Sequence, residues 1–498
     1  MNRSRRSFIQ KLAALSAATA LSKGLTSCTS QHRRPNIIFI MADDLGYGHL
    51  GCYGQKHILT PNIDQLAAEG VKFTQAYSGA SVCAPSRCAL MTGLHGGHIS
   101  VRGNSGGISM QEADVTVAQL LKKSGYVTGL FGKWGLGIEG TPGAPNNKGF
   151  DQFFGYLHQL HAQFYYPEFI WENENRYHIP ENASGGRQVY SHDLMMARAF
   201  DFIRKNRSRP FFLYLPMLTP HHEFIAPEES LGLYRGKFDE NPVDHWRDGY
   251  ALPREPRATF AAMVTHMDKT VGQLMSLLKE LGLDSETILF FTSDNGPAHG
   301  PLENAEFFQA NGPLRGYKGG LYEGGLRVPM IVRWPGRIEP SSTTNHVTFF
   351  PDILPTLLEL AGAMDLHPDR LDGHSIVPVL TGRGPAKTHD FLYWELADYE
   401  HDPPYRMESS TLQQAMRLGR WKAVKNRSGA GIELYDLVKD PGEQADLAAL
   451  HPETVRDMGE IMKTCHHEAP PQDPNMSTQR ARQLFIPSQE DIEKWRER

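Results

Sequence analysis

Two short acidic motifs are the residues of this chain best suited to chemistry. Asp43 and Asp44 stand side by side, and Asp294-Asn295 supplies another carboxylate and an amide far along the chain. These are hard oxygen donors of the kind that calcium or magnesium takes, and adjacent carboxylates repel one another unless a cation lies between them. Alone, Asp43-Asp44 would equally suit a helix cap or a solvated turn. Together the motifs predict a divalent metal site, whereas no His/Cys cluster has zinc spacing.

A cysteine motif provides the candidate nucleophile. In Cys83-Ala84-Pro85-Ser86-Arg87 a thiol is followed by a proline two residues on and an arginine two beyond that, and a small, mostly apolar stretch continues to residue 93. A nucleophile needs neighbouring groups that activate it. The same five residues would also suit a Cys-Pro turn before an ordinary helix, so the context decides.

Four predicted strands must position these motifs. Apolar runs at 36–41, 127–131, 211–215 and 287–291 indicate buried strands, and helical stretches alternate with them. Each run leads into a polar motif, namely Asp43-Asp44, Gly132-Lys133-Trp134, Pro220-His221-His222 and Ser293-Asp294-Asn295-Gly296. Ligands of open α/β sheets bind beyond the carboxyl ends of the strands. The pattern predicts an α/β fold with a large, mostly parallel sheet, helices on both faces and a site along one edge.

The alternating pattern ends near residues 376–390. We predict a catalytic domain at 35–380 and a smaller C-terminal domain with a tail at 388–498. Short strand-like runs separated by turn residues indicate a small antiparallel sheet in the second domain, at 391–395, 415–419, 421–424 and 433–437.

Composition limits the classes of function. The 498 residues carry a net charge of -5 with mixed signs, which gives no indication of a nucleic-acid partner. The 40% hydrophobic content and 47 glycines fit a loop-rich globular enzyme. Five scattered cysteines do not indicate a disulfide framework.

Residues 1–28 have the character of an export signal. Segment 4–11 resembles a twin-arginine signal, and the apolar run 12–21 is too short to span a bilayer. Leu25-Thr26-Ser27-Cys28 resembles a bacterial lipobox, in which Cys28 is lipidated. We predict an exported protein, in the periplasm or at the cell surface, with membrane contact only through that lipid. The alternative is a basic amphipathic first helix with a chance cysteine.

The motifs together resemble the sulfatase family, within the alkaline phosphatase-like superfamily. The resemblance covers nearly all of residues 35–450 and includes further motifs at 312–318 (GPLRGYK), 322–329 (YEGGLRVP) and 434–437 (LYDL). It implies hydrolysis of sulfate esters on a sulfated small molecule or glycan. Export of a tethered lipoprotein favours a sulfated carbohydrate, because polymer-derived sugars would be met outside the cell. It also implies that a maturase oxidises Cys83 to formylglycine, whose hydrate carries two hydroxyls on one carbon. One hydroxyl attacks sulfur and the other later expels sulfate.

The resemblance also assigns roles residue by residue. It implies that calcium, in preference to magnesium, is bound by Cys83 together with Asp43, Asp44, Asp294 and Asn295. Arg87 and Lys133 would hold the hydrate, whereas Lys318 and His221 would bind sulfate and assist the leaving oxygen, because cations stabilise the charge that develops there. The ordinary alternatives are surface ion pairs for Arg87 and Lys133, a loop histidine for His221 and a solvated turn residue for Lys318.

Two positions depart from the family pattern. His49 stands where the family often has aspartate, which we expect to be a structural change. Gly135 stands where many members have a histidine that acts as the base for collapse of the sulfated hydrate. Glycine cannot do this, so we predict that His158 or His161, in preference to His98, occupies the space that Gly135 leaves. The alternative is that water and Lys133 suffice.

Other readings of the chain stay open at this point. A phosphate or phosphonate ester hydrolase of the same superfamily is one, and a glycan-binding lipoprotein that has lost turnover is another, with Gly135 as its only hint. For a sugar substrate, the expected stacking wall consists of aromatic side chains, namely Trp171, Tyr165, Tyr166 and His161.

Overall fold

A computed structural model describes residues 34–104, 108–243, 250, 252–399, 408–426 and 431–470. The predicted export signal and lipobox at 1–28, and the tail beyond residue 470, lie outside this part of the chain. Among the helices that are described, none has the length and apolar character needed to cross a membrane.

The described residues contain fifteen strands and ten α-helices. The strands are β1 Asn36–Ala42, β2 Val71–Tyr77, β3 Val127–Lys133, β4 Gln152–Tyr156, β5 Phe169–Glu172, β6 Asn175–His178, β7 Phe211–Pro216, β8 Thr287–Ser293, β9 Arg327–Arg333, β10 Ser342–Thr344, β11 Thr348–Phe349, β12 Leu392–Leu396, β13 Gln413–Leu418, β14 Trp421–Lys425 and β15 Ile432–Asp436. The helices are α1 Pro61–Ala68, α2 Cys83–Thr92, α3 Val117–Lys123, α4 Ser191–Asn206, α5 Glu228–Leu231, α6 Pro256–Glu280, α7 Glu323–Leu326, α8 Ile353–Ala361, α9 Val377–Leu380 and α10 Pro452–Cys465.

Eleven strands form one large sheet. Its order is β10-β2-β9-β8-β1-β7-β3-β4-β5-β6, and β11 pairs with β2. The central strand β1 runs parallel to β7 and β8, and β3 runs parallel to β7 and β4. Antiparallel pairs lie toward both ends, where β9 joins β8 to β2 and β5 joins β4 to β6. The predicted α/β fold with a mostly parallel sheet is confirmed.

Helices cover both faces of this sheet, and strand β1 shows why its sequence is apolar throughout. Its seven residues are all buried, since alternate side chains point to opposite faces. Ile37, Phe39 and Met41 pack into the core under α2, α3 and α8. Ile38 and Ile40 pack into the core under α1, α4 and α6.

The C-terminal strands form the predicted small antiparallel sheet, in the order β12-β13-β14-β15. One face packs on α10, where Met416 and Leu434 lie against Met458 and Met462. The other face packs on the large sheet, and Trp394 donates its indole N–H to the carbonyl of Ser78 at 2.9 Å. Residues from Pro35 onward form one compact unit, so the division at 380–388 stays a prediction.

The cysteines within the described residues, namely Cys52, Cys83, Cys88 and Cys465, are free thiols. Three of them are buried, and Cys52 is partly buried. Within this part of the chain, no disulfide bond links them.

Candidate active site

The carboxyl ends of four parallel strands meet at one edge of the sheet, as the sequence predicts. Each of the four strands, β1, β3, β7 and β8, is one or two residues longer than the predicted apolar run. The pairing between neighbouring strands continues through these extra residues, for example between β1 and β8 and between β3 and β4. Lys133 is the last residue of β3, and three polar segments follow the ends of the other strands, at 43–44, 219–222 and 294–295. Helix α2 supplies Cys83 and Arg87, and the loop before α7 supplies Lys318.

Asp43 lies at the centre of this cluster and is completely buried. Its carboxylate is 2.6 Å from Lys133 Nζ, 3.3 Å from Arg87 Nη2 and 3.5 Å from Cys83 Sγ. Burial alone would raise the pKa of Asp43, but Lys133, His221 and Arg87 outweigh it and hold the pKa far below its usual range. Asp43 is therefore ionised and surrounded by cations.

Arg87 is a buried anchor, not a surface ion pair. It lies 2.7 Å from Asp294 Oδ2 and donates to the backbone carbonyl of Lys133 at 2.8 Å. Burial, together with repulsion from Asp43, raises the pKa of Asp294, although Arg87 opposes this. Arg87 thus ties three segments together, at the ends of β3 and β8 and in α2.

Asp44 forms the second half of the cluster. Its backbone has a φ of +62°, a left-handed conformation that residues other than glycine adopt uncommonly. Its carboxylate contacts Lys318 Nζ at 2.7 Å and accepts from Asn295 Nδ2 at 2.7 Å. Burial and Asp43 both raise the pKa of Asp44, and Lys318 counteracts them.

His221 is held in one orientation beside Asp44. Its Nδ1 donates to the backbone carbonyl of His222 at 2.8 Å, and its Nε2 lies 3.6 Å from Asp44 Oδ2. The hydroxyl of Tyr165 fixes the same loop by donating to the carbonyl of His221 at 2.9 Å. Burial lowers the pKa of His221 to about 3, with Lys318 and Lys133 adding to the effect and Asp43 opposing it. The nitrogen that faces the site is therefore Nε2.

Cys83 begins helix α2, whose ten residues are all buried. No side chain caps the helix at Val82, but the amide oxygen of Asn104 accepts the Ala84 N–H at 2.8 Å. Burial raises the pKa of the Cys83 thiol to about 12, although Lys133 and Lys318 oppose the rise. The unmodified side chain is consequently a protonated thiol at neutral pH, which is a weak nucleophile.

The oxygen donors fit a hard divalent cation. Repulsion between carboxylates does not by itself require one here, because Arg87, Lys133 and Lys318 already lie beside them. The stronger observation is Asn295 Oδ1, which is buried without a hydrogen-bond partner while its Nδ2 donates to Asp44. A buried carbonyl oxygen without a partner is costly. Ligand atoms of Asp43, Asp44, Cys83 and His221 also lie within 4.8 Å of one another.

The prediction that a histidine fills the space beside Gly135 is wrong. Gly135 has a φ of +76°, and the three heavy atoms nearest to a Cβ built there all belong to Gln159, with Nε2 at 2.1 Å. His158 instead accepts the Leu160 N–H, and His161 packs edge-on against Tyr156. His98, the less favoured alternative, pairs with Asp372 at 2.7 Å. A glutamine side chain has no proton-accepting nitrogen, so Gln159 cannot replace an imidazole base.

The predicted sugar-stacking wall is also wrong. Trp171, Tyr165 and His161 are buried, at 4%, 0% and 3% exposure, and Tyr166 is only partly exposed. The ring of Tyr165 stacks on Tyr190 inside the core. These aromatic side chains therefore pack within the core and are not available to stack on a sugar.

Sequence reasoning missed the positioning residues of the site. Tyr165, Asn104 and Gln159 each act through one contact made by tertiary packing, and no motif surrounds any of them. Of the positioning residues, only His49 could have been identified from the local sequence. Its Nδ1 accepts the Gly46 N–H at 2.9 Å. That bond fixes the turn after Asp44, which agrees with the structural role expected for His49.

Comparisons with known proteins agree with this geometry. Residues 35–363 match the family profile described as Sulfatase, and residues 317–467 match the one described as N-sulphoglucosamine sulphohydrolase, C-terminal. Human arylsulfatase A is 33% identical over 486 residues, which covers 87% of each chain.

Two further comparisons concern carbohydrates. An N-acetylgalactosamine-6-O-sulfatase of Bacteroides thetaiotaomicron is 28% identical and covers 87% of this chain and 93% of its own. The solved structure of Ps i-CgsB in complex with k-i-k-neocarrahexaose superposes with a TM-score of 0.73 at 27% identity. It covers 92% of this chain and 99% of that one.

Proposed function

Since the chain belongs to the sulfatase family and is a sulfuric ester hydrolase, we propose that it removes sulfate from sulfated carbohydrates through a formylglycine derived from Cys83. The observation that carries this is the place of Cys83 at the start of a buried helix, 3.5 Å from the Asp43 carboxylate that Lys133 and Arg87 also contact. A side chain there meets both the cations and the oxygen donors of the site.

Conversion of Cys83 resolves a difficulty posed by the thiol. With its pKa raised to about 12 by burial, the thiol is protonated at neutral pH. The hydrate of formylglycine would supply one hydroxyl that attacks sulfur and a second that expels sulfate. A host maturase that oxidises Cys83 is part of this proposal.

Calcium, in preference to magnesium, is the proposed metal. Asp43, Asp44, Asp294 and Asn295 would hold it together with the oxygen of the modified Cys83, an all-oxygen set that suits calcium. When bound, the cation would withdraw charge from the sulfuryl oxygens. The three carboxylates are balanced by Arg87, Lys133 and Lys318, so a divalent cation would leave the site positive. A positive site favours an anionic substrate.

The chain's own side chains have separable duties in this proposal. Arg87 and Lys133 hold Asp43 and Asp294 in place and orient the modified side chain at position 83. Lys318 and His221 lie on the Asp44 side and would bind the sulfate oxygens. Because Nδ1 of His221 is committed to a carbonyl, its Nε2 is the atom available to the leaving oxygen. Negative charge on a bound sulfate raises the pKa of an adjacent imidazole, which favours the proton-donating form.

The carbohydrate substrate and the location rest on the relatives and on the leader. The relatives named above are an N-acetylgalactosamine-6-O-sulfatase and a protein solved with a neocarrahexaose. The twin-arginine-like segment and the lipobox at 25–28 suit an exported protein tethered by Cys28, where polymer-derived sugars would be met. Within this proposal the membrane contact is the lipid alone.

Release assays with defined substrates test the proposal. Purified, matured protein should release sulfate from some members of a panel of sulfated mono- and disaccharides. Aryl sulfate should be a better substrate than the matched aryl phosphate. Faster phosphate release would favour the phosphoester hydrolase, whereas tight glycan binding with no release from any sulfate ester would favour the non-enzymatic alternative.

A further inference from the structure

A second cluster of metal-ligating side chains lies between helices α4 and α6. His192 and Asp193 stand near the start of α4, and His266 lies in the middle of α6. One ligand atom from each residue lies within 4.8 Å of the other two. None of the three belongs to the candidate active site.

An ordinary ion pair accounts for only part of this cluster. His266 Nε2 lies 2.6 Å from Asp193 Oδ1. His192, however, is fully buried, and its Nδ1 has no hydrogen-bond partner. A buried imidazole nitrogen that faces no donor is costly in a folded protein. The His266–Asp193 pair leaves that nitrogen unexplained.

The hydrogen bonds around the two imidazoles resemble those of metal-ligating histidines. Thr270 Oγ1 donates to the backbone carbonyl of His266 at 3.2 Å, so it must accept from His192 Nε2 at 2.9 Å. This fixes the proton of His192 on Nε2 and leaves the lone pair on Nδ1. Ser230 Oγ lies 3.2 Å from His266 Nδ1, and its hydroxyl can accept the proton that Nδ1 carries when Nε2 binds a metal. Ligating histidines commonly have their second nitrogen held by such a partner.

The cluster is open to solvent on one side. Asp193 is 55% exposed on its side chain, and together with His266 it lines a cleft of about 760 Å³. Glu229 and Lys269, which pair at 2.6 Å, lie on the wall of the same cleft. A metal could therefore enter and keep a water molecule as its fourth ligand.

We propose that His192, Asp193 and His266 form a binding site for a divalent transition metal ion, zinc above all, that links α4 to α6. Two imidazoles and one carboxylate make a donor set that suits zinc. Calcium is disfavoured because two of the three donors are nitrogen. Three protein ligands leave one position of a tetrahedral ion to solvent.

The chain offers a matched comparison in the cluster of His95, His98 and Asp372. There the Nδ1 of His95 accepts the Gly97 N–H at 3.2 Å. A metal on Nε2 of a neutral His95 would place the ring proton on Nδ1, facing that N–H donor. The cluster of His95, His98 and Asp372 therefore serves as a control and not as a site.

Zinc titration of full-length protein tests the proposal. The protein is stripped with chelator, saturated with calcium so that the active site is filled, and titrated with zinc by calorimetry. Cobalt absorption provides a second readout of the donor set. We expect one zinc per chain, at least about tenfold weaker binding in Asp193→Asn and His192→Asn, and unchanged binding in His98→Gln. Zinc should raise Tm for the wild type and for His98→Gln alone.

Asp193→Asn keeps the test decisive if His192→Asn does not fold, because Asp193 is largely exposed. No uptake of zinc by the calcium-saturated wild type would overturn the proposal. Equal uptake by the wild type and Asp193→Asn would overturn it as well, by placing the zinc elsewhere. Sulfate release takes no part in these measurements, so the outcome is independent of the proposed function.

Discussion

Lys133 Nζ lies 2.6 Å from Asp43 Oδ2, and both side chains are almost completely buried. Removing the lysine would leave a carboxylate in a low-dielectric site with one cation fewer. We expect Lys133→Met to lower kcat/KM by about 10²- to 10³-fold, the usual effect of losing one electrostatic contact to a transition state. Breaking a buried pair should also reduce the free energy of unfolding by about 3–5 kcal/mol.

Lys122→Met is the matched control. Lys122 pairs with Asp151 at 2.7 Å, but it is about half exposed. Exposed pairs contribute about 0–1 kcal/mol, so activity and stability should stay near those of the wild type. Equal losses in the two variants, measured by initial rates and urea unfolding, would contradict a special role for the buried pair.

Metal binding and activity should be lost together in Asp294→Asn. The change removes a charge from the oxygen donors and weakens the anchor for Arg87. Elemental analysis should find less calcium per chain, and sulfate release should fall by about 10²-fold or more. Asp201→Asn, an exposed carboxylate paired with Arg204, should change neither quantity. Full activity in chelator-treated, calcium-free wild type would refute the metal assignment.

Alanine substitutions at Gly135 and Gly140 distinguish the stability cost of backbone strain from that of side-chain crowding. Their φ values are +76° and +75°, but a Cβ at Gly135 meets Gln159 whereas one at Gly140 meets nothing within 4 Å. Gly140→Ala should cost about 1–2 kcal/mol from backbone strain alone. Gly135→Ala should cost more, and Gln159→Ala in the same chain should remove the excess. Thermal unfolding checks this, and equal costs for the two glycine variants would mean that Gln159 moves aside freely.

Acid should destabilise the fold through buried neutral histidines. Burial lowers the pKa of His161 from 6.5 to about 3. Between these values the unfolded chain binds a proton that the folded chain does not, so stability falls as pH falls. One such histidine costs about 2 kcal/mol at pH 5 relative to pH 7.

His161→Phe should therefore lose less stability than the wild type between pH 7 and pH 5. His57→Gln, a change at an exposed histidine, should follow the wild type. Activity of His161→Phe should be retained, in line with its place in the core. An unchanged pH slope in unfolding experiments would show that another group dominates acid sensitivity.

Local sequence predicted the site at the sheet edge because each motif directly follows its own strand. Asp43, Lys133, His221 and Asp294 needed only strand prediction and the rule that parallel strands end at one edge. Gln159 beside Gly135 could not be found in this way, since that contact depends on how a loop packs. The prediction of a sugar-stacking wall at Tyr165 and Trp171 was also wrong. Aromatic residues suit a core as well as a surface, and the sequence does not distinguish the two.

The cluster of His192, Asp193 and His266 illustrates the other limit of the sequence. Its residues stand on two helices separated by more than seventy positions, and no spacing rule connects them. Only the packing of α4 on α6 brings them together.

Peptide mass spectrometry of the segment around Cys83, performed on protein whose sulfate release has been measured, is the most direct test of the central claim. The account predicts that the aldehyde or its hydrate replaces the thiol and that the converted fraction follows specific activity across preparations. Cys83→Ala should show no release. A fully active preparation in which position 83 carries only the free thiol would contradict the account.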